Sequence, residues 1–144
     1  VKMTRDRVLT TNVIKCRPRN NKTPNIAEAD FCGKLWLEKE LAIIEPKVIV
    51  ALGGVALHFL GNADMRITKD RGQWFKTAQG FDCIANFHHA CLLRLGGHDL
   101  VTAKWDVFHD LEAARENVIA AAPDYQLMSE APTNLFSLFE KRKK

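Results

Sequence analysis

The apolar positions of this chain change period several times, and each change predicts an element. Val8-Leu9-Thr10-Thr11-Asn12-Val13-Ile14 is rich in β-branched residues and reads as a strand. Residues 15–25 carry Pro18, Pro24 and three asparagines, and read as a loop. Asn25 is placed as an N-cap, with Glu28 at the third helical position as in a capping box. The pairs Phe31/Leu35 and Leu37/Leu41 then carry a helix to about Ile44, and Pro46 stops it.

A continuous apolar run, Lys47 to Leu52, suits a parallel strand covered on both faces. Gly53-Gly54 turns the chain into a short helix, Val55 to Leu60, closed by Gly61-Asn62. Residues 67–81 read as loop and hairpin around Gly72 and Gly80, and Phe81 to Phe87 as another strand. A loop with His88, His89 and Gly96-Gly97 leads to a long helix, about Leu100 to Ala121, whose expected buried face is Val101, Trp105, Phe108 and Leu111. Pro123 to Pro132 reads as a loose connection to a short amphipathic piece, Leu135 to Phe139.

Strand, helix, strand, helix, strand, helix implies an α/β fold with a mostly parallel sheet, whose ligands bind at the carboxyl ends of the strands. That places candidate chemistry at Asn12–Pro18, Gly53-Gly54 and His88–Arg94. The expected division is one domain over 1–122 and a tail over 123–144.

Composition changes this picture only modestly. The chain has 144 residues, enough for one core, with 47% hydrophobic and 26% charged residues. No apolar run approaches the roughly 18–20 residues of a membrane span. Val1 to Arg7 is polar and basic, unlike a secretory signal, so a cytoplasmic or nucleoid-associated, monomeric protein is expected. A net charge of +4 is compatible with a polyanionic partner. Lys15, Arg17, Arg19 and Lys22 form a cluster with no acid among them, and Lys141–Lys144 is a second basic run.

Taken singly, the chemical candidates each have a plain alternative. Asn12 offers an amide that can read a base edge, or one that closes a strand end. Cys16 and Cys32 are possible metal ligands or core thiols, and two thiolates do not complete a zinc site or a four-cysteine cluster. His88 or His89 can donate to a developing oxyanion or act in acid–base chemistry, or simply fill a loop. Cys91 nearby leaves a Cys–His hydrolase conceivable. Gly53-Gly54 lacks the third glycine of a dinucleotide fingerprint.

In order, these residues resemble something specific. Thr11-Asn12-Val13-Ile14-Lys15-Cys16-Arg17-Pro18 followed by Asn20-Asn21-Lys22-Thr23-Pro24 is similar to the TN-(V/I)-VKCRPP…NRTP segment of family 4 (iron–sulfur) uracil-DNA glycosylases. The resemblance continues through Glu45–Gly53 and Ile67–Trp74 to Phe87-His88-His89-Ala90-Cys91-Leu92-Leu93-Arg94, similar to that family's FHPAYLLR. It covers about residues 8–115 and implies a three-layer α/β/α fold whose N-terminal part is missing from this chain.

It also implies an activity: extrusion of uracil from DNA and hydrolysis of its N-glycosidic bond in base-excision repair, because the sugar carbon is inaccessible inside the duplex. On this resemblance Asn12 recognises the uracil edge and His88 donates to uracil O2 as charge builds on the leaving base. Leu92 would enter the base stack, Arg94 would contact a phosphate, and Arg17, Arg19, Lys69 and Arg71 would add backbone contacts. Cys16 and Cys32 would be two of the four ligands of a [4Fe–4S] cluster with a structural task.

Departures from the pattern are equally visible. The family's first two cluster cysteines, its GEGPG-type water-activating motif and its uracil-stacking Phe have no counterpart here. His89 stands for the usual proline and Cys91 for an aromatic residue. A non-catalytic DNA-binding relative or fragment is therefore the alternative reading, with a Cys–His hydrolase behind it.

Overall fold

The computed structural model describes Met3 and residues 7–124. The expected Leu135–Phe139 piece and the basic run 141–144 lie outside the described residues. The elements run α1 (Ile26–Cys32), a π turn (Gly33–Leu37), α2 (Glu38–Ile44), β1 (Val48–Leu52) and α3 (Gly54–Leu60). There follow α4 (Ile67–Asp70), β2 (Trp74–Lys76), β3 (Asp82–Asn86), α5 (His89–Leu92) and α6 (Gly97–Ala121).

The helix expected from Asn25 to Ile44 forms over that span. Asn25 Oδ1 accepts the Glu28 N–H at 2.8 Å while Glu28 accepts the Asn25 N–H at 2.9 Å, so the capping box is reciprocal. Its middle is widened into the π turn at Gly33. A Cβ there would lie 2.3 Å from the Phe59 ring, so glycine lets α3 press against this helix. Glu45 turns left-handed, at φ 48°, ahead of Pro46.

The sheet is mixed, in the order β1-β3-β2. β1 and β3 are parallel with Leu52 opposite Asn86, while β2 and β3 form the antiparallel hairpin expected around Gly80. Val8–Ile14 is not one of its strands, which corrects the sequence-based expectation. Val8 and Leu9 are exposed and only Val13 is buried. A β-branched composition favours extended backbone, but a strand also needs a neighbour to complete its ladder.

The main core gathers Val13, Ala29, Leu37, Leu41, Ala51, Leu60 and Cys83, with Ile49, Phe59 and Phe75 packed on it. Register puts Ile49, Cys83 and Phe75 side by side on one face of the sheet. Ile84 and Asn86, two residues apart on β3, face the other way and are also buried.

The long helix α6 packs against β1 and β3, but not through its expected face. Ala103, Asp110 and Ala114 are its buried residues, whereas Trp105 is 58% exposed and Val101 and Phe108 also face solvent. Leu111 is half-buried. Alanines allow a helix to approach a sheet closely, and the partner of Asp110 fixes the rotation, as described below. Among the described residues no helix is long and apolar enough to cross a membrane.

Candidate active site at the carboxyl ends of β1 and β3

Both parallel strands end at one place. Gly53 follows β1 with φ +85°, and its N–H donates to the Asn86 carbonyl at the end of β3 (2.8 Å). A side chain at position 53 would meet Cβ of His88 at 2.8 Å. The glycine turn therefore does two things: it adopts a backbone that L-residues resist, and it leaves room for His88. Gly54 then starts α3 and, with Thr23, Pro24, Ile26, Val55 and His58, lines an open groove of about 650 Å³. The groove reaches from the glycine turn to the end of the basic loop.

His88 is the N-cap of α5 and its Nδ1 accepts the Ala90 N–H at 3.1 Å. That bond assigns the single proton of the neutral ring to Nε2. His88 is exposed, and partial desolvation of its ring, followed by the neighbouring charge of His89, lowers its pKa from the ordinary histidine value. The two rings lie 4.2 Å apart between centroids. The result is a neutral imidazole with one nitrogen satisfied by backbone and the other free to donate. Cys91, on the same helical turn, donates its backbone N–H to the His88 carbonyl at 2.8 Å. Since Nδ1 of His88 already accepts the Ala90 N–H, it is not poised as a base for the Cys91 thiol.

Below His88 the strand end is tied down from several directions. Asn86 is 0% exposed and its Nδ2 donates to the Val107 carbonyl of α6. Phe87 lies under the Arg71 guanidinium, 5.7 Å from Cζ to the ring centroid. Arg71, expected as a DNA-backbone contact, directs Nη1 at both carboxylate oxygens of Asp110 (3.0 Å each) and Nη2 at Asp106 (3.4 Å). Burial raises the Asp110 carboxyl above the ordinary range and outweighs the lowering by Arg71. A Cβ at Gly72 would lie 3.0 Å from Asp110 Oδ1, so that glycine makes room for the pair.

Among the other expected contacts, Lys69 is exposed on α4 and Arg94 is exposed after α5. Leu92, expected as the wedge, is half-buried, and its neighbour Leu93 is 83% exposed.

The second group of expected residues occupies the segment before α1. Asn12 is exposed between Thr11, whose hydroxyl donates to Glu40 (3.0 Å), and the buried Val13. Lys15 joins the same carboxylate at 2.6 Å, and this contact lowers the Glu40 pKa. Arg17 donates from Nε to Asn21 Oδ1 at 2.7 Å, and Arg19 opens a tight turn, Arg19–Asn21, in which Asn20 and Asn21 take positive φ.

Cys32 is buried on α1, and its Sγ receives the Lys15 N–H at 3.3 Å, one residue before the exposed Cys16. A backbone N–H aimed at sulfur suits a cluster thiolate, so these two residues fit as half of a four-thiolate set. Among the described residues no group of three or more His, Cys, Asp or Glu is placed to hold a metal. Cys83 lies in the core of the sheet, where burial pushes its thiol up to about 12, unsuited to ligation.

Sequence comparison gives the family. The profile of the Uracil DNA glycosylase superfamily matches residues 1–112. The chain belongs to that superfamily. It is 40% identical to the Type-4 uracil-DNA glycosylase of Thermotoga maritima over 112 residues, 77% of this chain and 56% of the relative. It is 41% identical over 73 residues to that of Sulfurisphaera tokodaii (48% of this chain, 33% of the relative). For Archaeoglobus fulgidus the identity is 47% over 58 residues (40% and 29%). The chain thus spans about half the length of the first of these relatives.

Asn12, His88, Cys16 and Cys32 are the candidates that the sequence offers. Sequence reading missed the contact of Gly53 with His88, the buried Asn86 and the partners of Arg71. Only the glycine pair carried a local signal, as a turn at a strand end.

Proposed function

We propose that this chain acts as a uracil-DNA glycosylase, hydrolysing the N-glycosidic bond of a flipped-out uracil in single- or double-stranded DNA. The observation that carries the reading is the neutral His88, whose Nδ1 is held by the Ala90 N–H at the carboxyl end of β3. When the bond between uracil N1 and C1′ breaks, the electron pair stays with the base and charge develops on O2. A preset Nε2–H donor at that oxygen lowers the barrier, with little reorganisation at the moment of reaction. Water adds to C1′ and supplies the sugar hydroxyl. Asn12 reads the uracil edge through its amide.

Arg17, Arg19, Lys69 and Arg94 contact phosphates in this reading. The tip Leu92-Leu93 enters the gap left by the extruded base, with Leu93 leading because of its exposure. Cys16 and Cys32 supply two thiolates of a [4Fe–4S] cluster, which would hold the basic loop in place. The catalytic unit is the 1–122 segment, monomeric, in a three-layer α/β/α arrangement, working in the cytoplasm and nucleoid. The opposite-facing buried positions of β3 support the layering.

The test is uracil release from labelled single- and double-stranded oligonucleotides by the full chain. His88→Ala is expected to lower the rate by about 10²–10³ with DNA binding retained. Asn12→Ala is expected to impair release of uracil. Binding without release by the unaltered chain would replace this reading with a non-catalytic DNA-binding relative. A brown protein with about four irons per chain is the outcome expected of the metal assignment, and a colourless, iron-free protein would remove it.

A further inference from the structure

We propose that Arg71, held by Asp110 and Asp106, is a positioning residue for His88. This rests on the glycosylase reading only for its kinetic consequence. The chain of contacts is continuous. Two carboxylates from α6 grip both ends of the guanidinium, at 3.0 and 3.4 Å. The gripped cation lies over the Phe87 ring. Phe87 is bonded directly to His88, and the Asn86 side chain before it reaches the Val107 carbonyl of the same helix. His88 Cβ in turn lies close against Gly53, at the end of β1. The histidine turn is therefore clamped between β1 and α6, with Arg71 as the bracket on the α6 side.

The chemistry of the guanidinium suits a bracket. A planar guanidinium matches a carboxylate bidentately and can cover a ring at the same time, which an ammonium does not reproduce. The Asp110 side chain is 8% exposed and that of Arg71 27%, so the pair sits under the surface. The two carboxylates engage both Nη1 and Nη2. A displacement of about 1 Å in a reacting group can cost about a hundredfold in rate. Small movements of Phe87 would therefore register in catalysis before they register in folding.

The experiment uses the full chain, isotope-labelled, with Arg71→Met, Arg71→Lys and Asp110→Asn. Arg71→Met keeps the apolar stem over Phe87 and removes the grip. It is expected to lower kcat for uracil release by about ten- to a hundredfold, with KM within about twofold. The imidazole resonance of His88, identified by its loss in His88→Gln, should shift. Arg71→Lys should recover part of the rate, because it keeps the charge without the fork. Asp110→Asn, which preserves shape, should move the His88 signal in the same direction and serves if Arg71→Met fails to fold. The proposal is overturned if folded Arg71→Met keeps both the His88 resonance and kcat. It is equally overturned if KM rises with kcat unchanged, which would make Arg71 a DNA contact. If the unaltered chain releases no uracil, the functional reading fails by itself and the His88 resonance alone decides on the clamp.

Discussion

His88 leaves the central strand of the sheet, hydrogen-bonded on both sides, whereas Asn12 sits in a segment that joins no sheet at all. The two residues are expected to act on the same base, yet they are held by different means. At the histidine end, backbone bonds between β1 and β3, a glycine that accommodates His88 Cβ and a buried ion pair act together. Before α1, the chain is anchored by Val13, by the shared Glu40 carboxylate and by one N–H···S bond. A rigid half-site and a side-chain-hung half-site respond differently to damage. The first fails when geometry is disturbed, and the second when its anchors are cut. A cluster on Cys16 and Cys32 would then matter most where the sheet does least.

The most disruptive single change should be Gly53→Ala. A positive-φ strain costs about 1–3 kcal/mol, and the added methyl meets His88 Cβ. Lower thermal stability together with loss of uracil release is expected, measured by melting and by oligonucleotide cleavage. A stable, active variant would show that the histidine end is less tightly set than the contact implies.

Next comes Asp110→Ala, which leaves the partly buried Arg71 charge without its main partner. Denaturant unfolding should show a loss of about 2 kcal/mol. Asp110→Asn should cost less, because it keeps one acceptor and the volume.

Val13→Ala tests the other half. Removing its buried methyl groups is worth about 1.5 kcal/mol. Hydrogen exchange should rise selectively in residues 8–22 while β3 stays protected. Uniform loosening would mean that the two halves are coupled more strongly than their contacts suggest.

The smallest effect belongs to Glu40→Gln, an exposed link worth under about 1 kcal/mol. Here the sign with pH is informative. Lys15 lowers the folded-state pKa of Glu40, so the stabilisation is present above the usual carboxylate range and is lost as pH falls through the folded value. His88 contributes in the same direction at higher pH. Its folded-state pKa is depressed, so the unfolded chain takes the proton first, at about 6.5, and acidification below that favours unfolding. Melting curves from pH 7.5 to 4 should therefore show a step below about 6.5 that disappears in His88→Gln, and a lower one that disappears in Glu40→Gln.

Much of the molecule was legible along the chain. The capping box at Asn25, the strand at 48–52, the glycine turn after it, the hairpin at Gly80 and the ordered motifs around Asn12, Cys16 and His88 all depend on residues within a few positions of one another. Interactions of that range are written in sequence, because the chain itself brings the partners together. What tertiary structure decided depends on partners far apart. Residues 8–14 are β-branched but do not pair in the sheet. Trp105 and Phe108 are large and apolar, yet α6 turns Ala103, Asp110 and Ala114 inward. Asp110 meets Arg71 from 39 positions away, and small alanines let the helix close on the sheet. The acidic partners of Arg71 were illegible for the same reason: Asp106 and Asp110 lie on a helix 35 and 39 positions further along the chain. The candidate residues were readable as types; what holds them at their places was not, because holding is a long-range property.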